Sequence, residues 1–200
     1  MRAGSAGVAA ALALAGAAPA QGAEFLLGAF AHDATFLGEG FGVGAAGREE
    51  GVDLHLGVRS ARIEALDWLG RPQAHAFVSV NSEATSNFVA AGLSWPMALG
   101  DRFYLRPGLG LAYTDGEADL PPVNAPGLTP AERERRLRLY RTRIDFGSQV
   151  LLQPEISLGY RLGERWAVEL SWVHISNGQI FDSGKNQGLD DAGVRLIYSF

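Results

Sequence analysis

A histidine and a serine two residues apart, His174 and Ser176, stand near the end of the chain, in the stretch 170–178. If this stretch is a strand, both side chains share a face with the apolar Leu170 and Trp172, since alternate residues of a strand point the same way. Residues i and i+2 are then roughly 7 Å apart, which lets the imidazole reach the hydroxyl. A general base beside a nucleophile on an apolar face predicts an enzyme whose substrate lies in a membrane.

A serine hydrolase also needs an acid that orients the imidazole. Asp190, near the start of the last predicted strand, has the same parity as Ala192 and Val194. We expect it to emerge on the same outer face as the histidine, from the adjacent antiparallel strand. Asp191 should point inward, and Asp182, in the loop between the two strands, is a weaker candidate.

Donors for a developing oxyanion follow the serine directly. They are the side-chain amide of Asn177 and the backbone N–H of Gly178. Ser176 and Asn177 also fit ordinary turn chemistry at a strand end, and His174 also fits an interfacial amphipathic residue. The catalytic interpretation is favoured because the base, the nucleophile and the acid are all predicted to lie on the same, lipid-facing side of the strands.

The first 20 residues have the features of a secretory signal peptide. Arg2 supplies positive charge, 8–18 is a short apolar run, and Ala18-Pro19-Ala20 is a small-x-small cleavage site. Residues 21–200 are then expected to form one domain, and loss of Arg2 changes the formal charge from −5 to −6. This acidic balance disfavours nucleic acid as a partner. The absence of cysteine excludes disulfides, thiol catalysis and cysteine-bound metal.

Alternating polar and apolar residues dominate the rest of the chain, as at 52–59, 103–114, 150–161 and 192–200. No later stretch has the roughly 18 unbroken apolar residues of a spanning helix, so any membrane crossing must use a β-barrel. The fold class expected is all-β, an eight-stranded antiparallel transmembrane β-barrel. Its predicted strands are 24–33, 48–59, 74–81, 87–99, 102–114, 144–161, 165–176 and 189–200.

Two further features favour a membrane barrel over a soluble one, which periodicity alone does not exclude. Charged residues occupy the parity opposite to the apolar one, where they would pair inside a narrow barrel; they are Arg59, Arg106, Glu155, Glu169 and Arg195. Aromatic residues lie near strand ends, where they would form interfacial girdles; they are Phe103, Tyr113, Tyr160, Trp166, Trp172, Tyr198 and Phe200.

The connections predict the orientation of the barrel. Tight turns at 100–101 and 162–164 belong on the periplasmic side, with both termini, and 60–73 is a longer connection expected on that side. The long connections 34–47, 115–143 and 177–188 are expected outside. His174 and Ser176 then fall at the outer end of the seventh strand, near the outer leaflet.

The longest connection contains a predicted helix. Thr129 is its N-cap, Pro130 its first residue, and Glu132 would complete a capping box. The arginines that follow include Arg136 and Arg138, which are candidate contacts for lipid phosphate groups through charge-assisted hydrogen bonds. The alternative is a solvated loop helix whose charges are balanced by neighbouring glutamates.

These residues resemble a known family. His174-Ile175-Ser176-Asn177, followed by 186–190 and a closing strand, is similar to the outer-membrane lipid A 3-O-deacylases of the PagL type. The resemblance is sharpest over 166–200 and elsewhere rests on length and strand count. It implies an eight-stranded barrel with a lipid-facing catalytic site. Ser176 would be the nucleophile, His174 the base, Asp190 the acid and Asn177 part of the oxyanion hole.

The resemblance also implies the reaction and the partners. The reaction would be hydrolysis of the ester at the 3-position of lipid A in lipopolysaccharide, in the bacterial outer membrane, with no cofactor and no metal. A homodimer is left open. Two features depart from the family: its acid is usually glutamate where this chain has Asp190, and the preceding loop is slightly longer here.

Two alternatives remain at this stage. Outer-membrane phospholipase A also has a His-x-Ser-Asn-Gly run, with an asparagine as third member, a role open to Asn186. Its larger barrel and calcium dependence do not suit a chain with eight predicted strands. The other alternative is a noncatalytic barrel that acts as an adhesin or a structural protein.

Overall fold

The computed structural model describes residues 22–35, 46–181 and 185–200. The predicted signal peptide, 1–20, and the weaker acid candidate, Asp182, lie outside these ranges. Among the described residues, no helix has both the length and the apolar character needed to cross a bilayer.

Nine antiparallel strands make up the described fold. They are β1 (Glu24–Ala31), β2 (Val52–Arg62), β3 (Gln73–Asn81), β4 (Phe88–Ser94), β5 (Met97–Ala98), β6 (Phe103–Thr114), β7 (Val150–Arg161), β8 (Trp166–Ile175) and β9 (Leu189–Ser199). Each strand pairs with its neighbour in sequence, except that β4 and β5 both pair with β6. The pairing of β1 with β9 then closes the ring.

The short strand β5 continues β4 rather than adding to the barrel. Ser94 opposes Gly108 and Met97 opposes Leu105, so the register against β6 is unchanged across the break. The break falls at Pro96, which has no N–H to donate to a ladder. The prediction of eight strands in a closed antiparallel barrel is therefore confirmed.

Several strand boundaries differ from the predicted ones at the side of the long connections. β2 begins at Val52 and β7 at Val150, later than predicted, because Glu49 and Ile144 are held in the rim loops, where the Glu49 carboxylate accepts a hydrogen bond from the Ile144 N–H (3.1 Å). At the opposite end, β2 runs on to Arg62 and a 3-10 helix, Glu64–Leu69, fills the connection to β3.

The two faces of the barrel wall have opposite character, as the alternation predicted. On β8, the outward Leu170 is 63% exposed, whereas the adjacent inward Glu169 is fully buried. The inside of the barrel, here called the lumen, holds a network of ion pairs. Arg59 donates to both carboxylate oxygens of Glu169 (3.0 and 2.9 Å), and Arg195 binds Glu155 at 3.1 Å. The inward charges therefore pair with one another, as predicted.

The ends of the barrel differ as well. Aromatic pairs lie on the outer surface at the end with tight turns, with ring centroids 4.9 Å apart for Phe103 and Tyr160 and 4.8 Å apart for Trp166 and Tyr198. At the other end, α1 (Pro130–Thr142) lies in the longest connection, and its N-cap Thr129 accepts from the Glu132 N–H at 3.2 Å. The predicted helix start is confirmed, although the Glu132 carboxylate accepts from Arg135 and Arg136.

Candidate active site

The predicted base, nucleophile and acid come together at the long-loop end of β8 and β9. His174 Nε2 is 2.9 Å from Ser176 Oγ, and His174 Nδ1 is 2.6 Å from Asp190 Oδ1. Because the carboxylate accepts from Nδ1–H, the other ring nitrogen is left with a lone pair facing the hydroxyl. The three side chains thus form a continuous hydrogen-bonded chain in the order required of a hydrolytic triad.

Strand pairing explains why aspartate is long enough at this position. His174 and Asp190 are directly opposed in the β8–β9 ladder. Directly opposed Cα atoms of antiparallel strands are only about 4.5–5.5 Å apart. The shorter acid therefore reaches the imidazole without any shift of the backbone.

The triad side chains lie on the outward face of the barrel wall, but they are less exposed to solvent than outward side chains such as Leu170. Asp190 is fully buried and His174 is 5% exposed. The indole of Trp172 lies beside the imidazole, with ring centroids 5.9 Å apart. The loop after β1 also reaches the site, where the Ala34 N–H donates to the Asp190 carbonyl (2.8 Å). Packing of this kind holds the histidine in one orientation.

Ser176 lies one residue past the end of β8 but remains fixed by backbone hydrogen bonds. Its N–H donates to the Leu152 carbonyl (3.2 Å), and its own carbonyl accepts from the Leu152 N–H (2.7 Å). The side chain is half-buried. A rigid backbone and a partly accessible hydroxyl are the conditions that a nucleophile needs.

Asn177, predicted as an oxyanion donor, is engaged elsewhere. It is fully buried, and its amide nitrogen donates to the carbonyls of Phe146 (2.6 Å) and Lys185. Its carbonyl oxygen accepts from the Gln179 N–H (2.6 Å). Since both amide hydrogens are in use, Asn177 could serve an oxyanion only by breaking one of these bonds, and its evident contribution is to join two loops.

Lys185, whose carbonyl accepts from Asn177, also forms ion pairs through its side chain. Lys185 Nζ lies 2.7 Å from Asp145 and 2.9 Å from Asp119. Desolvation lowers the pKa of this amine, but the hydrogen bonds with Asp145 and Asp119 outweigh it and raise the pKa above its usual value. The lysine therefore remains a cation that ties the connection between β8 and β9 to the one between β6 and β7.

Gly178, the other predicted donor, lies at the solvent side of the turn with φ of +59°. Its N–H donates to Asn186 Oδ1 at 3.0 Å, and Asn186 is exposed. In the phospholipase A alternative, Asn186 is the candidate for the third member of the triad. In the structure, Asp190 binds His174, and Asn186 binds Gly178 instead. No local pattern could have indicated this contact, because it depends on the path of the whole loop.

The remaining predicted residues are placed as follows. Asp191 points inward, as expected, and binds His55 Nε2 at 3.0 Å. Arg136 donates to Glu132 (2.8 Å) and to the Pro122 carbonyl (2.9 Å), so it braces its own loop. Arg138, in contrast, is exposed on α1.

Within the described ranges, one group of side chains could hold a metal ion. His32, Asp53 and Asp191 each offer a ligand atom, and these atoms lie within 4.8 Å of one another inside the lumen. This group is on the opposite side of the barrel wall from the triad.

Fold and site together define a class: a β-barrel of the outer-membrane type with a hydrolase-like Ser-His-Asp arrangement on the outer face of its rim. A model of the lipid A 3-O-deacylase (PagL) family matches residues 51–199. The chain belongs to this family and is an ester hydrolase of the outer membrane. The family predicted from the sequence is thereby confirmed.

Solved structures similar to this chain include the following two. The first is the crystal structure of the outer membrane enzyme PagL, with a TM-score of 0.54 and 14% sequence identity; the match covers 88% of this chain and 99% of that chain. The crystal structure of Neisserial surface protein A (NspA) is 12% identical, with a TM-score of 0.48 over 89% of this chain and 96% of that chain. No curated protein matches the chain.

Proposed function

We propose that this protein hydrolyses the ester that joins an acyl chain to the 3-position of lipid A, with Ser176 as nucleophile, His174 as general base and Asp190 as the orienting acid. Membership of the family supports the reaction. The observation that carries the residue assignment is the hydrogen-bonded chain from Ser176 Oγ through the imidazole to Asp190, at 2.9 and 2.6 Å.

The reaction follows from the hydrogen-bond directions. His174 Nε2 takes the proton of Ser176 as Oγ bonds to the ester carbonyl carbon. The imidazolium, stabilised by Asp190, then gives that proton to the departing sugar oxygen as the ester bond breaks, which leaves an acyl-enzyme. A water molecule, deprotonated by the same nitrogen, attacks the acyl carbon. The bond from this carbon to Ser176 Oγ then breaks, the imidazolium returns the proton to Oγ, and the fatty acid leaves.

Stabilisation of the oxyanion is assigned first to the backbone N–H of Gly178. Its present acceptor is an exposed side chain, Asn186, which a substrate oxyanion can displace at little cost. Amide oxygen and nitrogen atoms are distinguished only by their hydrogen bonds, so a rotated Asn186 would offer a second donor beside the first. The fully engaged side chain of Asn177 is the weaker candidate.

The surroundings of Ser176 suit a lipid substrate. Leu170 on the same face of β8 is 63% exposed, and Ile180, after the turn, is 68% exposed. Leu170 precedes Ser176 by six residues on this face, about 20 Å along the strand, so an acyl chain that lies along the barrel would contact this apolar face. The sugar and phosphate groups would then face the loops, where Arg138 is exposed.

The test is incubation of the purified, folded protein with lipopolysaccharide, followed by mass spectrometry of the lipid A. We expect loss of the 3-position acyl chain, and Ser176→Ala should reduce the rate by at least about 1000-fold. Ser171→Ala is the matched control, since Ser171 lies on the same strand but points into the lumen, against Ser157 at 2.8 Å. This variant should keep the wild-type rate.

Other outcomes would reject the proposal. Release of fatty acid from phospholipid in the presence of calcium, with intact lipid A, would identify a phospholipase. An unchanged lipid composition with every substrate would identify a noncatalytic barrel. Equal rates for Ser176→Ala and wild type would exclude Ser176 as nucleophile.

A further inference from the structure

A second cluster of ionisable side chains lies in the lumen directly behind the triad. Asp191 follows the triad acid and points inward, His32 comes just after β1, and Asp53 lies in β2. All three are buried, with at most 6% of any residue exposed. We propose that His32, Asp53 and Asp191 bind a zinc ion that ties β1, β2 and β9 together at the barrel rim.

The distances between the ligand atoms fit such an ion. His32 Nδ1 is 2.9 Å from Asp53 Oδ2 and 3.7 Å from Asp191 Oδ1. Zinc binds nitrogen and oxygen at about 2.0–2.2 Å, which places two ligands of a tetrahedral site about 3.4 Å apart. The two distances from His32 differ from this spacing by about 0.5 and 0.3 Å, and all three ligand atoms lie within 4.8 Å of one another.

Each ligand also has the outer partner that metal sites use. When a histidine binds a metal through one ring nitrogen, the other commonly donates to a carboxylate. Here His32 Nε2 is 3.1 Å from Glu49 Oε2. Asp53 Oδ1 accepts from Asn81 at 2.8 Å, and Asp191 Oδ2 lies 3.0 Å from His55 Nε2.

One buried oxygen of the cluster is unsatisfied. Asp191 Oδ1 accepts no hydrogen bond from an N–H or hydroxyl group in the described ranges, and it lies 3.7 Å from His32 Nδ1. A buried carboxylate oxygen without a donor is costly. A cation at this position would satisfy it, whereas the other oxygen of the same carboxylate already has its partner.

The charge balance points the same way. Within the described part of the chain, neither Asp53 nor Asp191 forms an ion pair with lysine or arginine. Both carboxylates are fully buried, so water does not screen their charge. The cluster thus attracts positive charge, and a zinc ion would replace the proton of the imidazole.

The donor set selects among metals. One imidazole nitrogen with two carboxylate oxygens suits zinc, while calcium and magnesium prefer oxygen ligands throughout. The role we infer is structural, since the ion would lie on the luminal side of β9 and away from Ser176. The inference does not depend on the catalytic proposal.

The test is to refold the protein with zinc chloride, dialyse it and measure the bound metal. We expect one zinc per chain, a Tm higher by about 5 °C than for metal-free protein, and no such rise with magnesium or calcium. Refolding with cobalt(II) should give visible absorption bands of a low-symmetry site, a measurement that needs no variant.

Variants then assign the ligands. Asp191→Asn and His32→Gln should each lose the bound zinc and the Tm rise. Glu24→Gln is the matched control, because Glu24 is a luminal carboxylate at the other end of the barrel, paired with Arg59 and Arg106. Ser176→Ala should also bind zinc normally, which separates this site from catalysis.

Three results would overturn the site. The first is wild-type protein that retains no zinc and gains no stability from it. The second is equal zinc retention by Asp191→Asn and wild type. The third is a metal-free Asp191→Asn protein as stable as the zinc-treated wild type, which would mean that the two carboxylates merely share a proton.

Discussion

A single methylene group separates aspartate from glutamate, and at position 190 that difference decides how the imidazole is held. Asp190 is opposed to His174 in the ladder, fully buried and 2.6 Å from the ring nitrogen. A longer acid at this position would have to fold back on itself or push the ring away from Ser176. The choice of acid is thus linked to strand register.

Substitution of Asp190 tests this assignment. Asp190→Asn should reduce kcat by about 10³-fold or more, because the amide no longer holds the imidazole in the required tautomer. Asp190→Glu keeps the charge but displaces the ring, so we expect a loss of about 10- to 100-fold. The measurement is the deacylation rate on lipopolysaccharide.

Asp182→Asn is the control for the acid, since Asp182 is the other acidic candidate of the same connection. It should leave the rate unchanged. Full activity in Asp190→Asn together with a loss in Asp182→Asn would transfer the role to Asp182.

At the scale of the elements, the rim loops are joined to one another as well as to the strands that they connect. Asn177 binds carbonyls on two other loop segments, and Lys185 forms ion pairs with Asp145 and Asp119. The loop after β8 therefore has fixed positions on both sides of Gly178. An exposed turn held in this way could position the Gly178 N–H, which we propose as the oxyanion donor.

Asn177→Ala would remove this link. Two carbonyls lose their donor, which should destabilise the loop by about 1–3 kcal/mol. We expect faster hydrogen exchange over 145–149 and 177–188, while the barrel strands remain protected. The exposed Asn124→Ala is the control. A drop in kcat with unchanged loop exchange would instead support the direct oxyanion role that the sequence suggested.

The arginine-rich helix α1 is a candidate for binding the phosphate groups of lipopolysaccharide. Arg136 is bound to Glu132 and to the Pro122 carbonyl, whereas Arg138 is exposed. Arg138→Glu should therefore raise the KM for lipopolysaccharide without loss of stability, and the KM for an uncharged ester should not change. Arg136→Glu should also loosen the loop. Arg102→Glu, exposed at the opposite end of the barrel, is the control. Equal KM changes for both substrates would contradict phosphate recognition by the helix.

At the scale of the molecule, the strand period of two explains how much could be predicted from sequence. Parity alone assigned the triad residues to one face and Glu169 to the other, and turn residues gave the number of strands. Parity could not assign the partners of Asn177 or the approach of His32 to Asp191. Both depend on loop paths and on the closure of β1 against β9, which joins residues that are distant in sequence.

The last prediction concerns the ion pairs of the lumen. The buried charges there share partners of the opposite sign. Glu169 is fully buried and accepts from Arg59 at 3.0 and 2.9 Å and from Tyr104 at 2.9 Å. Glu169→Gln would leave a buried guanidinium without its main counter-ion, and such a loss costs about 3–5 kcal/mol. We expect a lower urea midpoint in detergent micelles, while the folded fraction keeps its deacylation rate.

The exposed Glu164→Gln, in the turn before β8, should change neither quantity. We expect the lower end of that range, because Arg59 also binds Glu24 at 3.2 Å and lies 4.0 Å from Glu155. The double variant Glu24→Gln/Glu169→Gln should therefore lose more stability than the two single variants combined. Strict additivity would mean that Glu24 does not compensate for the missing carboxylate, and that each ion pair in the lumen acts alone.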